Sequence, residues 1–164
     1  MNIRYAKPED LPRLTEIDNY YIINSHATLY TKPRKPEDRS DWFSKYKEQG
    51  PYRMIVCEEK GVVQGCAFSS QYREHFAFKQ TIETSIYLDP KIRTKGFGSA
   101  LYQELFSLLK NEELHLAVAG IALPNEASIA LHKKFGFKEI GVFDEYAIKN
   151  GEFLSSIWMQ KRLS

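Results

Sequence analysis

Thr81-Ile82-Glu83-Thr84-Ser85-Ile86-Tyr87-Leu88-Asp89-Pro90-Lys91-Ile92-Arg93-Thr94-Lys95-Gly96-Phe97-Gly98-Ser99-Ala100-Leu101 decides the architecture of this chain. Its first part, Thr81 to Leu88, reads as a β-strand. From residue 99 to 110 apolar residues recur at Leu101, Leu105, Leu108 and Leu109, the spacing of one helix face. Two glycines flanked by basic residues join the two elements. A helix that starts at such glycines presents free backbone N–H groups and the positive end of its dipole, so the junction reads as a phosphate-binding turn.

Spacing separates the phosphate-binding patterns that fit such a turn. A Walker turn requires Gly-Lys-Ser/Thr, whereas Lys95 precedes its glycine. A dinucleotide fingerprint requires glycine or alanine three residues after Gly98, and Leu101 stands there. The remaining pattern, Arg93-x-x-Gly96-x-Gly98, resembles the pyrophosphate loop of the GCN5-related N-acetyltransferase (GNAT) superfamily, in which backbone amides hold coenzyme A. Taken alone, a glycine-rich helix entry is as often a plain tight turn.

The 164 residues suffice for one core and not comfortably for two, which predicts one domain over 1–164. A composition of 43% hydrophobic and 27% charged residues is that of a globular protein. No stretch reaches the apolar length of a membrane span, and Met1-Asn2-Ile3-Arg4 does not open a signal peptide, so no membrane association and a cytoplasmic location are expected. The net charge of +2, without a long Lys/Arg run, argues against a nucleic-acid partner. Cys57 and Cys66 lie in apolar strand-like runs without metal-ligand spacing, which predicts buried reduced thiols and no metal.

Along the chain, a strand over 3–5 precedes a helix opened by Pro8, with Leu11, Leu14, Ile17 and Tyr21 at helical spacing. Pro36 opens a second helix, with Trp42, Phe43 and Tyr46 on its apolar side, expected to end near Gln49-Gly50-Pro51. Strands over 53–58 and 62–71 form a hairpin at Lys60-Gly61. The nearly all-apolar run 114–122 reads as a central strand, 125–135 as a helix closed by Gly136, and 139–146 with 153–160 as a final strand pair around Lys149-Asn150-Gly151. This order predicts an α/β fold: a mixed central sheet flanked by helices on both faces, its middle strands parallel across the Gly96 helix.

A ligand whose pyrophosphate rests on Gly96 and Gly98 would run back along Ile86-Tyr87-Leu88 by main-chain hydrogen bonds, leaving its reactive end near Glu83. Glu83 sits in a strand free of other charge, so desolvation would let it accept a proton near neutral pH; a surface position or a pair with Lys79 is the plain alternative. His132, on the helix after the central strand, is a second candidate for acid–base work, set against an ordinary packing role. His26 and His115 have no partner at diagnostic spacing.

With these residues in place, a closer resemblance emerges, to the phosphinothricin and methionine sulfone/sulfoximine acetyltransferase branch of that superfamily. Its ordered segments are Asp18-Asn19, Ser25-His26-Ala27-Thr28, Trp42-Phe43, Tyr72-Arg73, the stretch from Thr81 to Pro90, the glycine loop, Val118-Ala119-Gly120-Ile121, Asn125-Glu126-Ala127-Ser128-Ile129-Ala130-Leu131-His132, Gly136-Phe137 and Lys149-Asn150-Gly151. The resemblance implies a GNAT fold with splayed middle strands, acetyl-CoA as donor, no metal and a homodimer. It implies coenzyme contacts from Ile86, Tyr87, Leu88, Arg93, Thr94, Lys95, Gly96, Phe97, Gly98, Ser99, Asn125 and Ser128. Glu83 becomes the base that deprotonates the amine, and His132, where the wider superfamily usually has tyrosine, becomes a catalytic candidate. Tyr72, Arg73, His75 and Glu83 are expected at the acceptor. The branch tends to carry a second arginine where His75 stands, and tryptophan where Phe153 stands; one permanent charge in place of two weakens anion recognition.

The expected activity is direct transfer of acetyl from acetyl-CoA to the amino group of a small amino acid or analogue, a small-molecule acceptor. Acetylation of a polyamine, an antibiotic amine or a protein N-terminus, and a noncatalytic acyl-CoA sensor, are the rivals.

Overall fold

The structure is a computed structural model that describes residues 1–92 and 94–164. Strands β1 (Asn2–Tyr5), β2 (Met54–Glu59), β3 (Val62–Gln71), β4 (Thr81–Leu88), β5 (Leu116–Ala122), β6 (Lys138–Lys149) and β7 (Glu152–Arg162) form one sheet in the order β1-β2-β3-β4-β5-β7-β6. Every neighbouring pair is antiparallel except β4 and β5, which run parallel because helix α3 (Phe97–Leu109) crosses over between them. This is the mixed α/β sheet that the sequence predicts, its middle strands parallel across α3.

Strand alternation sorts the core to two faces. On one, Ile55, Cys57, Ala67 and Ile82 pack against Leu101, Tyr102 and Leu105 of α3, with Ile129 and Leu131 of α4 (Glu126–Lys134) at the margin. On the other, Met54, Val56 and Cys66 meet Leu14 of α1 (Leu11–Asn24) and Trp42 and Phe43 of the short α2 (Ser40–Phe43). Among the described residues no helix is long and apolar enough to cross a membrane.

The second predicted helix is much shorter than expected. A 3-10 turn over Pro36–Arg39 leads into the single α-turn of α2, after which Lys45 and Tyr46 donate to carbonyls only three residues back and Lys47 N–H goes to Tyr52 O. Trp42 and Tyr46 still pack their half-buried rings, edge-on against each other and against Phe68. Tertiary contact satisfies the apolar signal without helix. Strands β6 and β7 are longer than expected because β6 slips register at Glu139/Gly141 and again between Phe143 and Ala147, which breaks the alternation by which a strand is recognised.

The feature that makes room for a ligand lies between β4 and β5. They pair only at Thr81↔Leu116, Ile82↔Ala117 and Glu83↔Val118. Beyond that rung β4 stays with β3 as far as Leu88↔Gly65, and β5 stays with β7 as far as Ala122↔Ser156, so the sheet opens as a wedge with Glu83 at its vertex.

Candidate active site

The wedge holds a cleft of about 260 Å³, with Thr84, Ile86 and Leu88 on the β4 side, Ala119 to Ala122 on the β5 side, and Asn125, Ser128 and His132 at its end. Asp89 N–H donates to Gln64 O on the β3 side. By alternation, the amides of Ile86 and Leu88 therefore face the gap, while that of Tyr87 faces β3. Of the three residues expected to line a ligand strand, Ile86 and Leu88 offer main-chain groups, while the Tyr87 amide faces β3 and its ring packs against Tyr21 and Phe68. Leu88 O already accepts from the Tyr21 hydroxyl, and Arg13 of α1 pairs with Asp89, so α1 pins the end of β4 where the loop begins.

Gly96 caps α3 with φ +100°, a left-handed conformation suited to glycine. The first helical bond runs from Ala100 N–H to Gly96 O at 3.0 Å, which leaves the amides of Phe97, Gly98 and Ser99 without intrahelical partners. Thr94 and Lys95 are exposed beside them, and Arg93, also expected at this loop, lies outside the described residues. Two of the loop residues have a further role. The Phe97 ring is buried in the core, and a Cβ on Gly98 would meet Leu131 Cδ2 at 3.3 Å, with Ile86 and Leu88 at 3.7 Å, so Gly98 is a packing glycine as well as an open amide. Sequence reasoning missed Lys134, whose Nζ donates to Ser99 Oγ at 2.8 Å and sets a cation at the mouth of the turn. Asn125 caps α4 by accepting from Ser128 N–H at 3.2 Å, and both residues line the cleft.

Glu83 points to the other face of β4, with Ser85 and Tyr87, into a second cavity of about 280 Å³ under α1 and α2. Ser85 and Tyr87 line both spaces, so β4 is the wall that the two cavities share. Glu83 is half-buried, and among the described residues neither Lys79 nor any other group donates to or pairs with its carboxylate. Burial alone raises its pKa.

His132 is almost wholly buried. Its Nδ1–H donates to Ser128 O at 2.7 Å, which leaves Nε2 to accept from the Tyr102 hydroxyl, also at 2.7 Å; Tyr102 Oη lies 3.4 Å from Thr84 Oγ1. Burial lowers the pKa of His132, opposed by the Ser128 carbonyl, so the ring is neutral with both nitrogens engaged. Tyr102 escaped the sequence reading, although a hydroxyl on the apolar face of α3 is itself a signal that a buried partner exists.

The expected acceptor residues Tyr72, Arg73 and His75 do not reach either cavity. They sit in the β3–β4 connection. Tyr72 packs edge-on against Phe78 and Trp158, exposed Arg73 lies over the Tyr72 ring, and His75 Nδ1 accepts from Ala77 N–H to cap a turn at Phe76–Phe78. The connection folds on its own aromatic rings, which keeps those side chains out of both cavities.

Two sequence segments acquire a shared reason. Lys149 Nζ is buried and donates to Ser25 O and Thr28 O, each at 2.8 Å, so the Lys149-Asn150-Gly151 turn holds the loop whose Ala27 lines one cavity and Thr28 the other. Both cysteines are free and buried; desolvation pushes Cys57 up to about 11 and Cys66 up to about 12, leaving neither as a thiolate nucleophile.

The Acetyltransferase (GNAT) family profile matches residues 17–137. The chain is 39% identical to a phosphinothricin N-acetyltransferase of Streptomyces coelicolor over 99% of its own length and 96% of that protein. It is 32% identical to an L-methionine sulfoximine/L-methionine sulfone acetyltransferase of Salmonella typhimurium, over 99% and 95% of the two chains. Among solved structures, a GNAT superfamily phosphinothricin acetyltransferase from Sinorhizobium meliloti in complex with AcCoA superposes with a TM-score of 0.92 at 32% identity, covering 99% of this chain and 88% of that one.

Proposed function

Since the chain belongs to the acetyltransferase (GNAT) family, we propose that it transfers acetyl from acetyl-CoA directly to the α-amino group of a small amino acid or analogue of the phosphinothricin or methionine sulfone type. One observation carries the reading: a desolvated carboxylate with no partner among the described residues, Glu83, stands at the vertex of the wedge, in a cavity separated from the donor cleft only by β4.

In this reading the donor enters the wedge with its pyrophosphate over the free amides of Phe97, Gly98 and Ser99, beside Lys134, and its pantetheine arm along the open edge of Ile86 and Leu88. The acceptor enters from the α1/α2 side. Glu83 takes one proton from its ammonium group, and the freed lone pair attacks the thioester carbon. Ile86 N–H, facing the gap, donates to the developing oxyanion. Collapse breaks the C–S bond, and the nitrogen loses a second proton. One of the two protons ends on the coenzyme thiol and the other in water. His132 is assigned to positioning: neutral and bonded at both nitrogens, it ties Ser128 at the cleft to the buried Tyr102 and has no proton free to give. Arg73 and His75 are left with a role at the rim.

Two further parts of the reading concern setting. The buried reduced thiols suit a cytoplasmic enzyme. A homodimer fits edge strand β6 and its turn, where Ile140, Val142, Phe143 and Ile148 are more than half exposed, as is Phe153 opposite on β7; light scattering reads the mass in solution. The activity is tested by thiol release from acetyl-CoA against amino acids, sulfone and phosphinate analogues, polyamines and peptides. Release with amino-acid analogues is expected; release with polyamines or peptides alone refutes the acceptor assignment.

A further inference from the structure

We infer that Arg39, and not Arg73, takes the anionic group of the acceptor, inside the cavity that also holds Glu83; the inference rests on the amino-acid reading above. Arg39 is only 6% exposed, yet it lines that cavity. Its Nε–H is buried with no hydrogen-bond partner, one of few such side-chain atoms among the described residues. Its ion partner is Asp18, at 3.4 Å, longer than the 2.7–2.9 Å of a charge-assisted hydrogen bond. A guanidinium carries five donors in a fixed fork, and burying it so poorly satisfied is costly unless a further acceptor arrives. The plane is already aimed, because the Trp42 ring lies 4.0 Å beneath it and removes much of its freedom before any ligand binds. Burial works against its charge, which Asp18 supports.

The remaining walls say what kind of molecule completes this arrangement. The cavity holds two cations, Arg39 and Arg34, and two carboxylates, Asp18 and Glu83, with Trp42, Phe68 and Tyr87 as apolar walls. Arg34 is itself stacked on Tyr30 at 3.6 Å. Charges of both signs in one space of about 280 Å³ are complementary to a small zwitterion, with its ammonium at Glu83 and its carboxylate at Arg39, and with no net negative charge they give a polycation no such match. Arg73 offers none of this. It is exposed, stacked on Tyr72 and outside both cavities.

The test compares methionine sulfone with its carboxamide, which keeps the amine and the side chain and loses the negative charge. Wild-type enzyme is expected to prefer the acid. Arg39→Gln should raise the KM for the acid by about 10- to 100-fold, the scale of a lost hydrogen bond to a charged group, with a much smaller change for the carboxamide, so that the preference collapses. Arg39→Lys keeps a charge opposite Asp18 and so serves if the glutamine variant does not fold; it should lose most of the preference with it, because an ammonium cannot reproduce the fork. Arg73→Ala should keep the preference. Equal use of acid and carboxamide by the wild type, or a preference that survives in Arg39→Lys and vanishes in Arg73→Ala, overturns the inference and leaves the acceptor reading standing. Thiol release with spermidine and with no amino acid overturns both.

Discussion

Replacing Glu83 by glutamine separates the base from every other role that residue could have. The exchange preserves shape, and among the described residues nothing donates to the carboxylate, so no partner is orphaned and no cavity opens. What disappears is proton acceptance. A positioned general base contributes about 10²- to 10⁴-fold, about 2.7–5.4 kcal/mol of barrier at 1.36 kcal/mol per decade. The loss should fall on kcat, with acetyl-CoA affinity kept, because the donor cleft lies on the far side of β4. Stability should move the other way. Burial raises the Glu83 pKa, so the folded state holds that proton more tightly than the unfolded chain, and ionisation costs stability as pH rises from the unfolded carboxylate value through the folded one. Glutamine carries no such cost. The variant should therefore melt at or above the wild-type temperature at pH 7, with the difference vanishing below about pH 4, where the carboxyl is protonated in both states. Thiol-release kinetics and thermal scans from pH 4 to 9 read both effects. Turnover within tenfold of wild type with an unchanged acidic limb would place the base elsewhere, and a lower melting temperature at neutral pH would mean that the carboxylate is held by a partner.

Gly98→Asp should unfold the chain or destabilise it by at least about 3 kcal/mol, since its side chain would meet Leu131, Ile86 and Leu88, whereas Gly98→Ala asks Leu131 to yield only slightly; thermal melts of the two decide. His132→Asn should cost roughly 2–4 kcal/mol by breaking the Ser128 and Tyr102 bonds, with a smaller effect on kcat. Because the pKa of His132 is lowered in the fold, the unfolded chain binds that proton first, so wild-type stability should fall as pH drops below about 6.5 and the variant should show a flatter slope there; an identical slope would mean that the imidazole takes up its proton as readily in the fold as in the unfolded chain. Lys149→Ala leaves two carbonyls unpaired and should cost roughly 2–4 kcal/mol while raising the acceptor KM through the loosened Thr28 loop, and kinetics unchanged at full stability would refute that tether.

The fold was legible where local pattern and long-range pairing agree. Strand β4, the turn at Gly96, α3 and the helix that follows Asn125 each carry their signal within a few residues, and all stand close to where the sequence predicts. The helix over 36–50 did not survive, because Trp42 and Tyr46 find Phe68 on β3, a contact no local window contains. The same limit applies to the site. Glu83 was readable as a charge alone in an apolar strand, yet nothing local says that Arg39 of the 3-10 turn comes to share its cavity, nor that Arg73, only ten residues from Glu83, stays outside it. His132 was found by its place in a motif, and its partner Tyr102 was hidden because a tyrosine on an apolar helix face is ordinary until a buried acceptor is known.

The position of the site follows from hydrogen-bond accounting. β5 is paired to β7 through all its residues and β4 to β3 through nearly all of its own, so each half of the sheet is satisfied internally. What remains open is the inner edge of β4 beyond Glu83, with the amides of Ile86 and Leu88 facing a gap that neither strand closes. Buried backbone groups are rarely left unpaired, and an open inner edge inside a sheet is a place for a guest strand. An extended ligand that carries amides and ends in a reactive carbonyl meets that need, and it would reach Glu83 at the rung where pairing stops. The open wedge and the placing of Glu83 at its vertex are two consequences of one strand losing one neighbour halfway along its length.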